Sequence, residues 1–238
     1  MKKLLLGTAA LALSATFATA DVVRMATEGA YPPFNFINDA GNVDGFDIAV
    51  GNEVCARAQL TCEWVTNEWD SIIPNLVSGN YDTIAAGMSI TAERDEVIDF
   101  TQAYAPPDPS IYVAMSEDVD LNGGVIAAQT GTIQANHVAE SGATLVEFAT
   151  PDETIAAVKN GEVDAVIADK GFLEPFVTED AELMFVSDNV MLGGGLGIGV
   201  RESDGELKAA LDAAIQSMKD DGTLNELIKK WLPASALF

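Results

Sequence analysis

Histidine occurs once in this 238-residue chain, cysteine twice, and the 12 lysines and arginines face 37 acids. Each scarcity excludes something. One histidine, His137, and two thiols fall short of the ligand set of a metal centre. They also leave no nucleophile–base signature for covalent catalysis. An acid such as Glu28 or Asp169 could still donate a proton, so elimination chemistry stays open. The shortage of cations sets the formal charge at −25, or −27 without Lys2 and Lys3. That excludes a general nucleic-acid binder, whose footprint is basic. The acids are spread along the chain, which fits a solvated surface in a salty medium better than a field built for a cationic partner. Long apolar runs are scarce too. The single one, Leu4–Phe17, follows Lys2 and Lys3 and precedes Ala18-Thr19-Ala20, the pattern of an export signal cut after Ala20. No cysteine follows that point, which argues against a lipid anchor, and no other run is long enough to span a bilayer. The product is expected to be exported and soluble, starting at Asp21. In that setting Cys55 and Cys62 are expected to close a small loop as a disulfide; a reduced, buried pair is the alternative.

What is present is an alternation of short β-rich and helical segments over the 218 residues left after a 20-residue leader, enough for one large domain or two small ones. Strands are expected at Val22–Thr27, Glu63–Val65, Thr83–Ala86, Val125–Ala128, Thr144–Phe148 and Ala165–Ala168. Helices are expected at Phe46–Arg57, Asp70–Val77, Thr132–Glu140 and Asp152–Lys159, with Pro74 near enough to a helix start to be tolerated. Ser110–Met115, after Pro106-Pro107-Asp108-Pro109, and the glycine-rich Gly193–Gly199 read as segments bridging two lobes. Two helices close the chain, one burying Leu207, Leu211, Ala214, Ile215 and Met218, the other Leu224, Leu227, Ile228 and Trp231. The pattern is α/β with mainly parallel sheets.

The most informative stretch is Thr83–Arg94. A short apolar strand runs into Gly87, which permits a tight turn and a close approach, then into Ser89, Thr91 and Arg94 at a helix start. Backbone N–H groups, hydroxyls and a guanidinium converging there suit a carboxylate. On spacing alone, a surface arginine paired with Asp95 or Glu96 beside an ordinary N-cap is an equal alternative. A weak internal repeat adds to this. Val77–Gly87 and Lys159–Asp169 share one frame of helix end, glycine stop, turn, aspartate and buried strand. Gly87 and Asp169 then sit just past the C-terminal ends of equivalent strands, where ligands bind in open α/β sheets. Two generic αβ units with similar turns are the alternative.

The segments G-F-D-I-A-V-G-N-E-V-C, W-D-S-I-I-P-N-L, A-G-M-S-I-T-A-E-R and I-D-F-T resemble the polar amino-acid-binding proteins of bacterial ABC importers. The likeness runs in order over nearly the whole mature chain, includes the cysteine spacing, and is nearest to the lysine/arginine/ornithine/histidine and opine binders. It implies a two-lobed periplasmic-binding-protein type II fold with two hinge crossings. Lobe 1 would be residues 21–107 with 200–238, and lobe 2 residues 108–199, closing as a clamp on one ligand. By the same resemblance Arg94 holds the ligand α-carboxylate, while Ser89, the Gly87 carbonyl and Asp169 hold the α-ammonium. Gly131, Thr132 and Gln134 supply further donors from the second lobe. Tyr31 and Trp69 flank the ligand side chain, and Glu28 faces its distal end. On pattern alone, core packing explains Tyr31 and Trp69 as well, and Glu28 as a surface acid is the simpler reading. The chain departs from the family where Ala86 and Gly87 replace a pair of serines, leaving only backbone carbonyls, and where Ile133 replaces a hydroxyl. The Gln129-Thr130-Gly131 turn, with Gln129 counted as a ligand contact, differs in its first residues. The implied function is a monomeric periplasmic receptor for a polar, basic amino acid or an opine-like derivative. It would serve a membrane permease without a cofactor. The competing expectation is an exported cyclohexadienyl dehydratase, which resembles the same fold.

Overall fold

A computed structural model describes residues 22–238; the expected export signal lies outside them. The chain builds its first sheet from β1 (Val23–Thr27), β5 (Cys62–Thr66), β6 (Thr83–Ile84) and β7 (Asp99–Phe100). A small antiparallel sheet of β2 (Ala30–Tyr31), β3 (Asn35–Ile37) and β4 (Val43–Asp44) is inserted after β1. Helices α1 (Phe46–Ala58), α2 (Trp69–Val77) and the single turn α3 (Ala92–Asp95) connect these strands. The chain then crosses to a second sheet of β8 (Ser110–Ala114), β9 (Val125–Gln129), β10 (Thr144–Phe148), β11 (Ala165–Asp169) and β12 (Met184–Phe185), with α4 (Ile133–Ser141), α5 (Pro151–Lys159) and α6 (Lys170–Glu179). It returns to the first sheet as β13 (Gly199–Val200) and ends in α7 (Gly205–Asp220) and α8 (Thr223–Trp231). The sheet orders are β5-β1-β6-β13-β7 and β10-β9-β11-β8-β12.

The α/β class, the two sheet-rich lobes and the mainly parallel sheets stand: in each five-stranded sheet one strand, β13 or β8, runs against the other four. β1 pairs in parallel with β5 and β6, and β9 with β10 and β11. The remaining pairings, through β13, β8 and β12, are antiparallel. A chain arriving from the other lobe enters at the edge where the parallel strands end, so it must run against them. For the same reason Ser110–Ala114 does not bridge the lobes as expected; it is a fully buried strand of the second sheet. The bridging is done just before it and again near 190–198, and the two passages hold each other. Tyr104 N–H donates to the Leu196 carbonyl at 2.8 Å, Leu196 N–H to Ala105 at 3.0 Å and Ser110 N–H to Val190 at 2.8 Å.

The internal repeat is physical. Gly79 and Gly161 both take left-handed conformations, φ +79° and +71°, which glycine adopts without strain. Asp82 then accepts from Arg24 N–H at 3.0 Å and Asp164 from Val125 N–H at 2.7 Å, each tying the turn to the first residues of the neighbouring strand. Both closing helices bury the expected stripe, with Leu211, Ala214, Ile215 and Met218 inside α7 and Leu224 and Ile228 inside α8. Cys55 and Cys62 are bonded, linking α1 to β5. Pro74 is not at a helix start but sixth of nine residues in α2, where it has no N–H to offer the Asp70 carbonyl. The small β2–β4 sheet and α6 had no counterpart among the expected elements: two- and three-residue strands carry too little periodicity, and Pro175 interrupts the α6 pattern.

A candidate ligand site between the lobes

Thr91 accepts from Arg94 N–H at 3.2 Å and so caps α3, which turns the Arg94 side chain back over the preceding loop. One terminal nitrogen of Arg94 donates to the Ser89 carbonyl at 3.0 Å, and its guanidinium carbon lies 5.2 Å from the centre of the Trp69 ring. Among the described residues no carboxylate comes within ion-pair distance of Arg94, so the pairing with Asp95 or Glu96 does not occur. Burial drives its pKa down to about 10, opposed by the fields of Asp169 and Glu93. A buried cation with one neutral partner is left short of an anion.

The turn carrying Ala86, Gly87 and Ser89 rests on a buried network that sequence reasoning missed. Gly87 sits at φ +61°. Behind it Asp47, fully buried in α1, accepts from Tyr104 Oη at 2.7 Å and Asn35 Nδ2 at 2.9 Å, and Gly87 N–H bonds it as well. Asn35 Oδ1 in turn accepts from Gly29 N–H at 2.7 Å, beside Glu28. Burial lifts Asp47 to about 6 against these bonds. The signal was there to find: Asp47 is an acid within the apolar run Phe46–Val50.

The second lobe answers from the ends of β9 and β11. Asp169 closes β11 and stands at the N-terminus of α6 without capping it. One carboxylate oxygen accepts from Tyr31 Oη at 3.1 Å and the other from Gln134 Nε2 at 2.8 Å; Gln134 Nε2 also donates to Ser110 Oγ at 2.9 Å. Tyr31 stacks on Phe172, ring centres 4.3 Å apart, and its hydroxyl also accepts from Asp169 N–H at 3.1 Å. Burial raises Asp169 to about 7, with Asp108 adding to the rise and Tyr31, Arg94 and Gln134 opposing it. Thr132 caps α4, accepting from Ala135 N–H at 3.1 Å and donating to the Gln129 carbonyl at 2.7 Å. Gln129 reaches across to Glu28 at 2.5 Å. Burial lifts Glu28 to about 7, and the Gln129 bond opposes that rise.

These groups line one narrow cleft that runs between the lobes and opens partly to solvent. Of the sequence-derived residues, Glu28, Tyr31, Trp69, Ala86, Gly87, Ser89, Arg94, Gln129, Thr132, Gln134 and Asp169 line it. Gly131 does not; its carbonyl accepts from Trp69 Nε1 at 3.3 Å. Ile133, noted above as replacing a hydroxyl, lines it too, and Pro151, Thr154, Ile167 and Ala168 complete the wall and carry no motif that would have marked them as contacts. Two carboxylates and one guanidinium face an enclosed space with few neutralising partners. The complement of such a space is small, polar and carries one carboxylate and two positive groups.

The model of the bacterial extracellular solute-binding proteins, family 3, matches residues 23–234. The chain belongs to this family. It is 33% identical to the histidine-binding periplasmic protein of Escherichia coli over 97% of both chains. It is 34% identical to the L-arginine-binding protein of Pseudomonas aeruginosa over 97% of this chain and 96% of that one. Among solved structures, a periplasmic His/Glu/Gln/Arg/opine family-binding protein from Silicibacter pomeroyi in complex with lysine superposes with a TM-score of 0.89 at 70% identity, covering 91% of this chain and all of that one. These family members are named for what they bind rather than for a reaction, and the dehydratase reading gains no support from them.

Proposed function

We propose that this protein is an exported receptor for an amino acid with a cationic side chain, lysine foremost, which it delivers to the permease of an ABC importer. The observation that carries this reading is the charge arrangement: one guanidinium without a carboxylate partner, and two half-buried carboxylates raised to about 7, around one cavity. A cationic amino acid neutralises it, whereas a neutral one leaves a carboxylate unanswered in a desolvated site. The α-carboxylate belongs on Arg94, the α-ammonium between Ser89, the Gly87 carbonyl and Asp169, and the distal ammonium at Glu28. Trp69 and Tyr31 form the walls along the aliphatic stem. The lysine-bound structure at 70% identity and the histidine- and arginine-named relatives support the ligand class.

In this reading lobe 1 is residues 21–107 with 200–238 and lobe 2 is residues 108–199, closing about the paired crossings. The protein acts as a periplasmic monomer cut after Ala20. The test is calorimetry of the purified protein against a panel of amino acids. Submillimolar binding of lysine or arginine is expected. Arg94→Ala should weaken it about a hundredfold or more, since a charged partner is removed from a buried pair. Binding that survives Arg94→Ala at full strength would overturn the reading.

A further inference from the structure

The distal end of the cavity is organised by a residue from the lobe opposite Glu28. Gln129 ends β9 and is only 7% exposed. Its amide nitrogen donates to Glu28 Oε1 at 2.5 Å and to the Ala149 carbonyl at 3.1 Å. Both partners are acceptors, so the nitrogen must face them and the amide oxygen must turn away. Among the described residues only Gln129 donates to Glu28. The carboxylate therefore presents one engaged oxygen and one open one. On the same wall Thr154 directs its hydroxyl hydrogen to the Pro151 carbonyl at 2.6 Å, and Asp152 of that turn adds its field to Glu28 without lining the cavity itself.

Resting on the receptor reading above, we propose that Gln129 is a specificity-determining residue that makes this site prefer a terminal ammonium over a guanidinium. The two cations want different things from a carboxylate. A guanidinium is best held by a planar fork, two parallel N–H groups on two oxygens. Gln129 takes one of the two lone pairs on one of those oxygens, and its side chain narrows the approach a planar fork needs to reach both. An ammonium is compact and needs separate single acceptors around it. The open oxygen of Glu28 is one such acceptor, and the amide oxygen of a pinned Gln129 is a second. The selection is thus made by a neutral side chain that leaves the charge of the site unchanged, and it discriminates between two ligands of equal charge.

The experiment is calorimetry with L-lysine and L-arginine at pH 8, on the unmodified protein and on Gln129→Met, which keeps the length and most of the volume while removing both amide groups. The unmodified protein should favour lysine by about tenfold or more, the scale on which a lost buried contact discriminates ligands. In Gln129→Met that ratio should collapse about tenfold, with lysine weakened and arginine held or improved. Gln129→Asn, whose amide stops one methylene short of Glu28, should move the ratio the same way. It provides the result if the methionine variant does not fold. A ratio that stays within about twofold in either folded variant overturns the role of Gln129 and leaves the receptor reading intact; an unmodified protein that prefers arginine overturns that role and the rank given to lysine, and leaves a receptor for cationic amino acids standing. Binding of neither ligand by the unmodified protein overturns both.

Discussion

Glu28 and Arg94 are both half-buried charges held by a neutral amide or carbonyl, and this makes them sensitive to what enters the cavity. Exchanging Glu28 for Gln removes the charge and keeps the shape. Lysine affinity should fall about tenfold or more while glutamine affinity stays nearly constant, because only the cation loses a partner. Parallel titrations check this; equal losses for both ligands would contradict the placement of Glu28. The pH dependence follows from the same burial. Glu28 and Asp169 sit near 7 in the folded chain, against ordinary values of 4.5 and 3.8. As pH rises from those ordinary values to about 7 the unfolded chain has given up protons that the ligand-free fold still holds, so stability declines across that window and levels off above it. Bound lysine brings a cation to each acid and removes this penalty. The rise in Tm on adding lysine should therefore be larger at pH 8 than at pH 5, measured by scanning fluorimetry. A larger rise at pH 5 would show that the acids are not ligand contacts. Asp47 and Asp108, both raised to about 6, steepen the ligand-free decline without entering the difference as ligand partners.

Helix α5 shows how much of an element is legible locally. Thr150 accepts from Glu153 N–H, and Glu153 Oε2 accepts from Thr150 N–H at 3.0 Å, a reciprocal cap with Pro151 in the first turn. That first turn also places Pro151 and Thr154 on the cavity wall. Thr150→Ala should cost about 1 kcal/mol of stability by chemical denaturation. It should also loosen lysine binding several-fold; an unchanged affinity would mean that the cap supports the helix alone. The repeated αβ units were readable for a related reason: glycine stop, aspartate and strand are each enforced within a few residues, so the chain announces them. The β2–β4 sheet and α6 were not, because two- and three-residue strands and a helix interrupted by Pro175 carry little pattern, and α6 is held in part by Phe172 stacking on the distant Tyr31. The same holds for Asp47, whose partners Tyr104 and Asn35 lie in other elements.

At the scale of the molecule, the two sheets are joined through the paired crossings, through contacts made across the cavity, Tyr31 with Asp169 and Phe172, Glu28 with Gln129, and Trp69 with Gly131, and through Asn136 with Glu93. Such a joint closes when a ligand links both sides. Small-angle scattering should show a smaller radius of gyration with lysine than without, and no change on saturation would argue against closure. The sequence by itself determined the alternation of strands and helices, the repeat, the disulfide spacing and the identity of Arg94 and Asp169 as opposed charges, because periodicity, glycine conformation and charge are local properties. Only the tertiary structure decided that one returning strand in each sheet runs against the other four, that Arg94 lacks a carboxylate partner, and that Gln129 from one lobe engages Glu28 from the other. Those depend on which distant surfaces meet and how far they exclude water, and no short stretch of chain carries that information.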